Sequence, residues 1–462
     1  MAAGLVAGGI TLVAAAQSGD GGRTQQAAQP PAAPDPVQIL VDRLNLDSYK
    51  ATLKGLTQFG DRREGTQRNR DAVAWIEAQL KSYGCQTERM TYVPAARGGG
   101  GGGNRGGGAA GAGAAAAGAA GAGGAGAAGA GAAGAGAAGR AGAGGAAAAG
   151  GGAAGGAAAG AGAAGGQGRG AGRGPGVLTE PRRAQAGGST YYGITRSTGV
   201  NNDPEKQPNE KLRALNSGPV LPDPIPQVWC TKWGTSRRGE MYIVSGHMDG
   251  IGWGEAANDD GSGTALVMEL ARIFSMPDVT TDVTIRFALW NGEETGHGAR
   301  AYVDQRKDLQ GQPNEPKWLG MIQHDMMMWD HGMPRADGTL NPEQRPEADF
   351  NIEWQSTSKQ SDGAMKLALA VKLAADRYSK NYPGTLGPHM TATDSSAFQD
   401  IVPAISLREN ERGMNTGAGW NPHWHQPTDV FTTFSDKDFL LGLNSAQATL
   451  SAIAQLTMAK IK

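Results

Sequence analysis

The chain has 462 residues, 42 basic against 43 acidic, for a net charge of −1. That balance argues against nucleic acid as a partner, which calls for a basic excess on the folded part. The two cysteines, Cys85 and Cys230, exclude a disulfide-rich scaffold and any four-cysteine zinc site, and leave one disulfide or two buried thiols equally open.

Leu5 to Ala16 is a short apolar run that ends in small residues, like the apolar region and cleavage site of a secretory signal, but without a basic start. It is too short for an ordinary membrane span, and no other uncharged apolar stretch of about 18 residues occurs outside the Gly/Ala block described below. Residues 1–20 therefore read as a signal segment and 21–36 as a flexible linker. An exported protein with no stable membrane span is expected. Asp71 to Tyr83 carries Val73, Ile76, Leu80 and Tyr83 on one helical face, with Gly84 as a stop. Thr87 to Val93 reads as a strand. Most of the excess among the 75 glycines then follows in Gly98 to Gly176, almost only Gly and Ala, with Arg105, Arg140, Arg169 and Arg173 as its charges. Such a block has too little apolar area to offset the entropy of ordering it. The expected division is 37–96, a low-complexity insertion at 97–187, and 188–462, the first and last forming one interrupted domain. A surface insertion is tolerable because closure entropy grows slowly with length.

From Gln227 the pattern is α/β. Gln227–Trp233 and Met241–Val244 read as strands. A helix starts at Ser262 with Leu266, Val267, Leu270 and Phe274 on one face. Asp282–Trp290 suits a strand buried on both sides. Trp318–His324 is a further strand, Ser361–Tyr378 a helix, and Val402–Leu407 a strand. A closing helix over Ser435–Met458 has Ser435 and Asp438 in a capping-box arrangement. The expected fold class is α/β: a single three-layer α/β/α domain with a mixed, largely parallel central sheet.

Ligands of open α/β sheets bind beyond the carboxyl ends of the strands. His247 and Asp249 stand just after one predicted strand, Asp259 and Asp260 before a helix, Glu293 and Glu294 after the next strand, and Asp325 after another. His423 and His425 lie in an aromatic loop near the end. Singly, each has an ordinary explanation: a turn, a helix cap or a solvated pair. Together, imidazoles and carboxylates at one edge of a sheet are what a divalent metal needs.

The order His247-Met248-Asp249, Asn258-Asp259-Asp260-Gly261, Asn291-Gly292-Glu293-Glu294, His324-Asp325-Met326 and His425-Gln426-Pro427-Thr428-Asp429 resembles the two-zinc exopeptidases of metallopeptidase clan MH. These include bacterial leucyl aminopeptidases, aminopeptidase Y, glutamate carboxypeptidase and glutaminyl cyclase. Phe59-Gly60-Asp61-Arg62-Arg63-Glu64-Gly65-Thr66 resembles that family's N-terminal segment. The resemblance implies two zinc ions, with cobalt or manganese as possible substitutes for the same donors. It implies Asp259 as the bridging carboxylate, His247 and Asp325 on one ion, and Glu294 and His425 on the other. It implies Glu293 as general base and Asp249 as the carboxylate that orients His247. His423 competes with His425, and the Pro-Thr-Asp after His425 favours the latter.

Three departures stand out. Thr295-Gly296-His297-Gly298-Ala299 is shorter than the family's stretch, and His297 is expected to pack or touch substrate. Thr393-Asp394-Ser395-Ser396 keeps an acid, as a helix cap or a neighbour of the site, but lacks the family's histidine. His324 stands where an apolar residue is usual. His331 and His389 are expected at the surface or in loops. Met326, Met327, Met328 and Trp329 line either a side-chain pocket or the core; Trp420 and Trp424 offer another wall. The resemblance implies peptide substrates and, first, an aminopeptidase. A carboxypeptidase or dipeptidase would need a cation for the substrate carboxylate, for which Arg408 and Arg412 are candidates. A glutaminyl cyclase-type acyltransferase and a metal-free binding protein are the further alternatives.

Overall fold

Eight strands form one sheet in the computed structural model: β1 (Gln86–Tyr92), β2 (Ile225–Lys232), β3 (Arg237–His247), β4 (Val283–Trp290), β5 (Lys317–His324), β6 (Phe350–Trp354), β7 (Gly384–Gly387) and β8 (Ala404–Arg408). The structure describes residues 35–94, three short strands between 183 and 196, and 200–221, 224–332, 339, 341–387, 393–409 and 421–462. The predicted signal segment and the Gly/Ala block lie outside the described residues. The strand order is β1-β2-β4-β3-β5-β8-β6-β7. The four central strands β4, β3, β5 and β8 run parallel. β1, β2 and β6 join antiparallel. The sheet is thus mixed and largely parallel, as expected.

The reason lies in the strand sequences. Every residue of β4 is buried. Ile285, Phe287 and Leu289 enter one apolar cluster, and Ala288 and Trp290 enter the other. Period-two alternation sends both sets of apolar side chains inward only if helices cover both faces. The larger cluster takes α1 (Pro36–Asp42), α2 (Leu46–Thr57), α3 (Gln67–Ser82), α5 (Gly261–Phe274), α7 (Ser361–Tyr378) and α8 (Asp436–Leu456). α4 (Glu210–Asn216) is a short connector before β2. The opposite face is closed by α6 (Gly298–Arg306) and by the 3-10 turn Asp394–Ala397. There Tyr302 packs among Trp229, Trp290, Trp318 and Phe398. Arg286, buried in this layer, is paired with Glu315 at 2.6 Å. Removing either partner would leave the other buried charge with only a more distant ion pair, Arg306 for Glu315 at 3.5 Å or Glu88 for Arg286 at 4.0 Å.

Local signals account for the helix ends. α3 starts one turn before the predicted Asp71, because the Thr66 side chain caps it by accepting from the Asn69 N–H. Its stop is Gly84, at φ +79°. Ser435 and Asp438 form the expected capping box of α8. Helices α1, α2, α4 and α6 and the short strands β6 and β7 were not anticipated. Asp35 and Asn45, the caps of α1 and α2, were the available signal. Cys85 and Cys230 form a disulfide with a Cα–Cα distance of 5.7 Å.

Candidate metal centre

The carboxyl ends of the parallel strands carry the polar residues. His247 ends β3, Asp325 directly follows β5, Glu293 and Glu294 follow the turn after β4, and Asp259 precedes α5. His425 comes from the loop before α8. The structure brings these together as two groups: His247, Asp259 and Asp325, and Asp259, Glu294 and His425. Within each, one donor atom per residue lies within 4.8 Å of the others. His247 Nε2 is 3.3 Å from Asp259 Oδ1 and 3.8 Å from Asp325 Oδ1. His425 Nε2 is 3.0 Å from Asp259 Oδ2 and 2.9 Å from Glu294 Oε2. Asp259 belongs to both groups and offers one oxygen to each histidine.

The donors fit a divalent cation. Asp259 is 4% exposed and His247 fully buried. His247 Nε2, Asp259 Oδ2 and Glu294 Oε1 have no hydrogen-bond partner among the described residues. Buried polar atoms left in this way are costly unless a ligand completes them. Imidazole and carboxylate donors in groups of three match a catalytic zinc site.

Neighbouring groups hold the donors in place. Asp260 caps α5 through Gly263 N–H and also accepts from the main-chain N–H of His247 and Met326. Asp429 accepts from the N–H groups of Asn258 and Asp259 at 2.8 and 3.1 Å. Arg62 is fully buried, and its guanidinium donates to the carbonyls of Gly60, Met248, Glu255 and Ala256. It thereby clamps both ends of the segment that separates Asp249 from Asp259. Arg62, Met326 and His425 adopt φ between +53° and +59°. Non-glycine residues hold this conformation only where their surroundings over-determine it.

Asp249 differs from the expectation. His247 Nδ1 donates to its main-chain carbonyl at 3.0 Å, whereas the nearest carboxylate oxygen is 3.7 Å away. The carboxylate instead accepts from the N–H groups of Glu293 and Glu294 at 3.2 and 3.4 Å. One residue therefore orients the imidazole with its main chain and the Glu-Glu turn with its side chain. Gly292 makes that turn at φ +76°; a Cβ there would lie 2.4 Å from Glu64 Oε1 and Tyr92 Oη.

Electrostatics follow from burial and crowding. Burial alone would raise Asp325, but the Arg408 guanidinium 2.9 Å away holds its carboxyl below the usual range. Burial pushes Glu294 and Asp429 up to about 7. Burial opposes protonation of His247, but Asp249 and Asp259 outweigh it and hold the imidazole well above its ordinary range. Ligation needs neutral imidazole, so metal loading releases protons.

The other predicted residues divide. His423 donates to or accepts from Thr428 Oγ1 and belongs to neither group. His324 is fully buried and bonded to the Ser245 carbonyl and to Thr449 Oγ1. His331, expected at the surface or in a loop, lies in a loop but is buried there, stacked on Trp329 and 2.9 Å from Asp438. Met327, Met328 and Trp329 belong to the core. Trp424 lies against the His425 ring at 4.3 Å. His297 contacts Thr295 Oγ1 and lines a cavity of about 660 Å³ that reaches Glu294. Asp394 accepts from Gln323 Nε2 and caps nothing. His389, Arg412 and Trp420 lie outside the described residues. Sequence reasoning missed Arg62, Glu64 and Glu409. Glu64 accepts from the Tyr92 and Thr295 hydroxyls, and Glu409 from Asn258 Nδ2 and the Trp329 N–H. For Arg62 and Glu64 the signal was the Phe59–Thr66 stretch; Glu409 had none.

Residues 230–449 match the model of peptidase family M28. Aminopeptidase YwaD of Bacillus subtilis is 34% identical over 120 residues, 26% of this chain and 24% of that protein. The Probable lipoprotein aminopeptidase LpqL of Mycobacterium tuberculosis is 38% identical over 76 residues, 16% of this chain and 14% of that protein. The matched stretches thus span at most about a quarter of these relatives' lengths. The crystal structure of Legionella pneumophila LapA aminopeptidase shares the fold, at 13% identity and a TM-score of 0.51, over 94% of this chain and 79% of that one. Sequence match and fold agree: residues 230–449, which supply all five donor residues, are similar to peptidase family M28.

Proposed function

We propose that the protein is a two-zinc exopeptidase that removes residues from the amino terminus of peptides. One observation carries the reading: Asp259 is shared by two three-residue donor groups. His247, Asp259 and Asp325 would hold one ion, and Asp259, Glu294 and His425 the other. Bound zinc supplies positive charge that acidifies water and stabilises negative charge on a carbonyl oxygen. Glu293 borders the site without belonging to either group. Its carboxylate takes a proton from water and returns it to the leaving nitrogen. Asp249 fixes the turn on which Glu293 and Glu294 diverge. Asp259, Glu294 and Glu293 make the site acidic, which suits a free amino terminus. YwaD and LpqL are named aminopeptidases, which supports the same choice. Arg408, the candidate for a substrate carboxylate, is engaged with Asp325.

Export belongs to the same reading. The Cys85–Cys230 disulfide supports it, since such bonds persist in oxidising compartments. No helix among the described residues is long and apolar enough to cross a membrane.

The test is hydrolysis of a leucine anilide and its N-acetylated twin, after chelation and after zinc is restored. Zinc-restored cleavage of only the free-amine substrate is expected. Cleavage of neither, by protein that binds two zinc ions, would overturn the aminopeptidase assignment.

A further inference from the structure

We propose that the small cavity beside Glu293 is a carboxylate subsite, which makes dipeptides with a free carboxyl terminus the preferred substrates of this centre. The subsite presupposes the exopeptidase chemistry proposed above. The cavity, of about 210 Å³, lies between the turn after β4 and the 3-10 turn Asp394–Ala397. Glu293, Gly296, Arg300, Thr393, Asp394 and Ser396 line it.

Two polar groups in this wall are available. Arg300, in the first turn of α6, is exposed and makes no ion pair or hydrogen bond among the described residues. Thr393 is 5% exposed, and its hydroxyl is buried with no hydrogen-bond partner among the described residues. The first turn of α6 adds main-chain N–H groups, because no side chain caps that helix. A guanidinium, a hydroxyl and open amides are all donors, and a carboxylate is acceptor-only. The opposing groups are Glu293 and Asp394. Asp394 already accepts from Gln323 Nε2, and burial together with Glu293 holds its carboxyl well above the usual range.

Position gives the substrate class. Glu293 returns a proton to the leaving nitrogen. When the leaving group is a single amino acid, its carboxylate oxygens lie roughly 3–4 Å from that nitrogen. A carboxylate tethered so closely falls into the cavity that Glu293 walls. In a longer peptide an amide occupies that place, and the charge is lost.

The experiment uses the full, zinc-loaded chain and compares kcat/KM for Leu-Ala and Leu-alaninamide by release of leucine. The expected acid-to-amide ratio is about tenfold or more, the range of a charge-assisted contact. Arg300→Gln is expected to bring the ratio close to one, Arg300→Lys to restore part of it, and Thr393→Val to lower it severalfold. Equal rates for acid and amide in the parent protein, or an unchanged ratio in Arg300→Gln, would overturn the subsite while leaving the exopeptidase reading intact. If neither substrate is cut, the exopeptidase reading itself fails.

Discussion

Glu293 and Glu294 are neighbours in sequence with different surroundings. Glu294 points to His425, at 2.9 Å, while Glu293 faces the cavity shared with Asp394. What separates them is the turn that Gly292 permits and the Asp249 carboxylate holds through both N–H groups. Glu293→Gln keeps size and packing but removes the base. It is expected to lower kcat by about 10²–10⁴-fold, with zinc content unchanged by metal analysis. Near-parent turnover in a fully loaded variant would show that the proton goes elsewhere. Arg62 illustrates what residue-level reading misses. As one of several arginines in a polar stretch it carries no mark of its task, because its partners are all main-chain carbonyls, three of them from a distant loop.

Between elements, His324 ties the end of β5 to β3 and α8. Its Nδ1 faces the Ser245 carbonyl, which only accepts, so Nδ1 carries the proton and Nε2 accepts from Thr449 Oγ1. Burial lowers its pKa to about 4 against an ordinary 6.5. The unfolded chain therefore binds more protons between these values, and stability contributed by neutral His324 is lost as pH falls from about 6.5 to about 4. The full effect is about 3 kcal/mol. His324→Gln should flatten that part of the urea-stability profile; a profile of unchanged slope would contradict the assignment. The elements themselves were legible to different degrees. β4 and α8 could be read because their patterns are long and strongly periodic or capped. β6 and β7 could not, because strands of five and four residues are set by sheet neighbours rather than by their own pattern.

At the scale of the molecule, the Cys85–Cys230 bond joins the end of α3 to β2 across a separation of 145 residues that includes the Gly/Ala block. Closing so long a loop constrains the unfolded chain strongly. Cys85→Ser is expected to cost about 2–5 kcal/mol, measured by equilibrium unfolding of the oxidised parent and the variant. A loss below 1 kcal/mol would mean that β1–β2 pairing alone closes the loop.

Sequence by itself determined the α/β class, the largely parallel sheet and the strand ends at which carboxylates and imidazoles stand. Those follow from local periodicity and from the rule that such sheets carry their ligands at the carboxyl edge. It left open whether the cysteines pair, which atoms of Asp249 face His247, and where Arg408 spends its charge. Only the tertiary structure decided these, because each depends on the distance between residues far apart in the chain. Asp259 and His425 are separated by most of the second half of the sequence. Their meeting at 3.0 Å is set by the packing of α5 and α8 against one sheet.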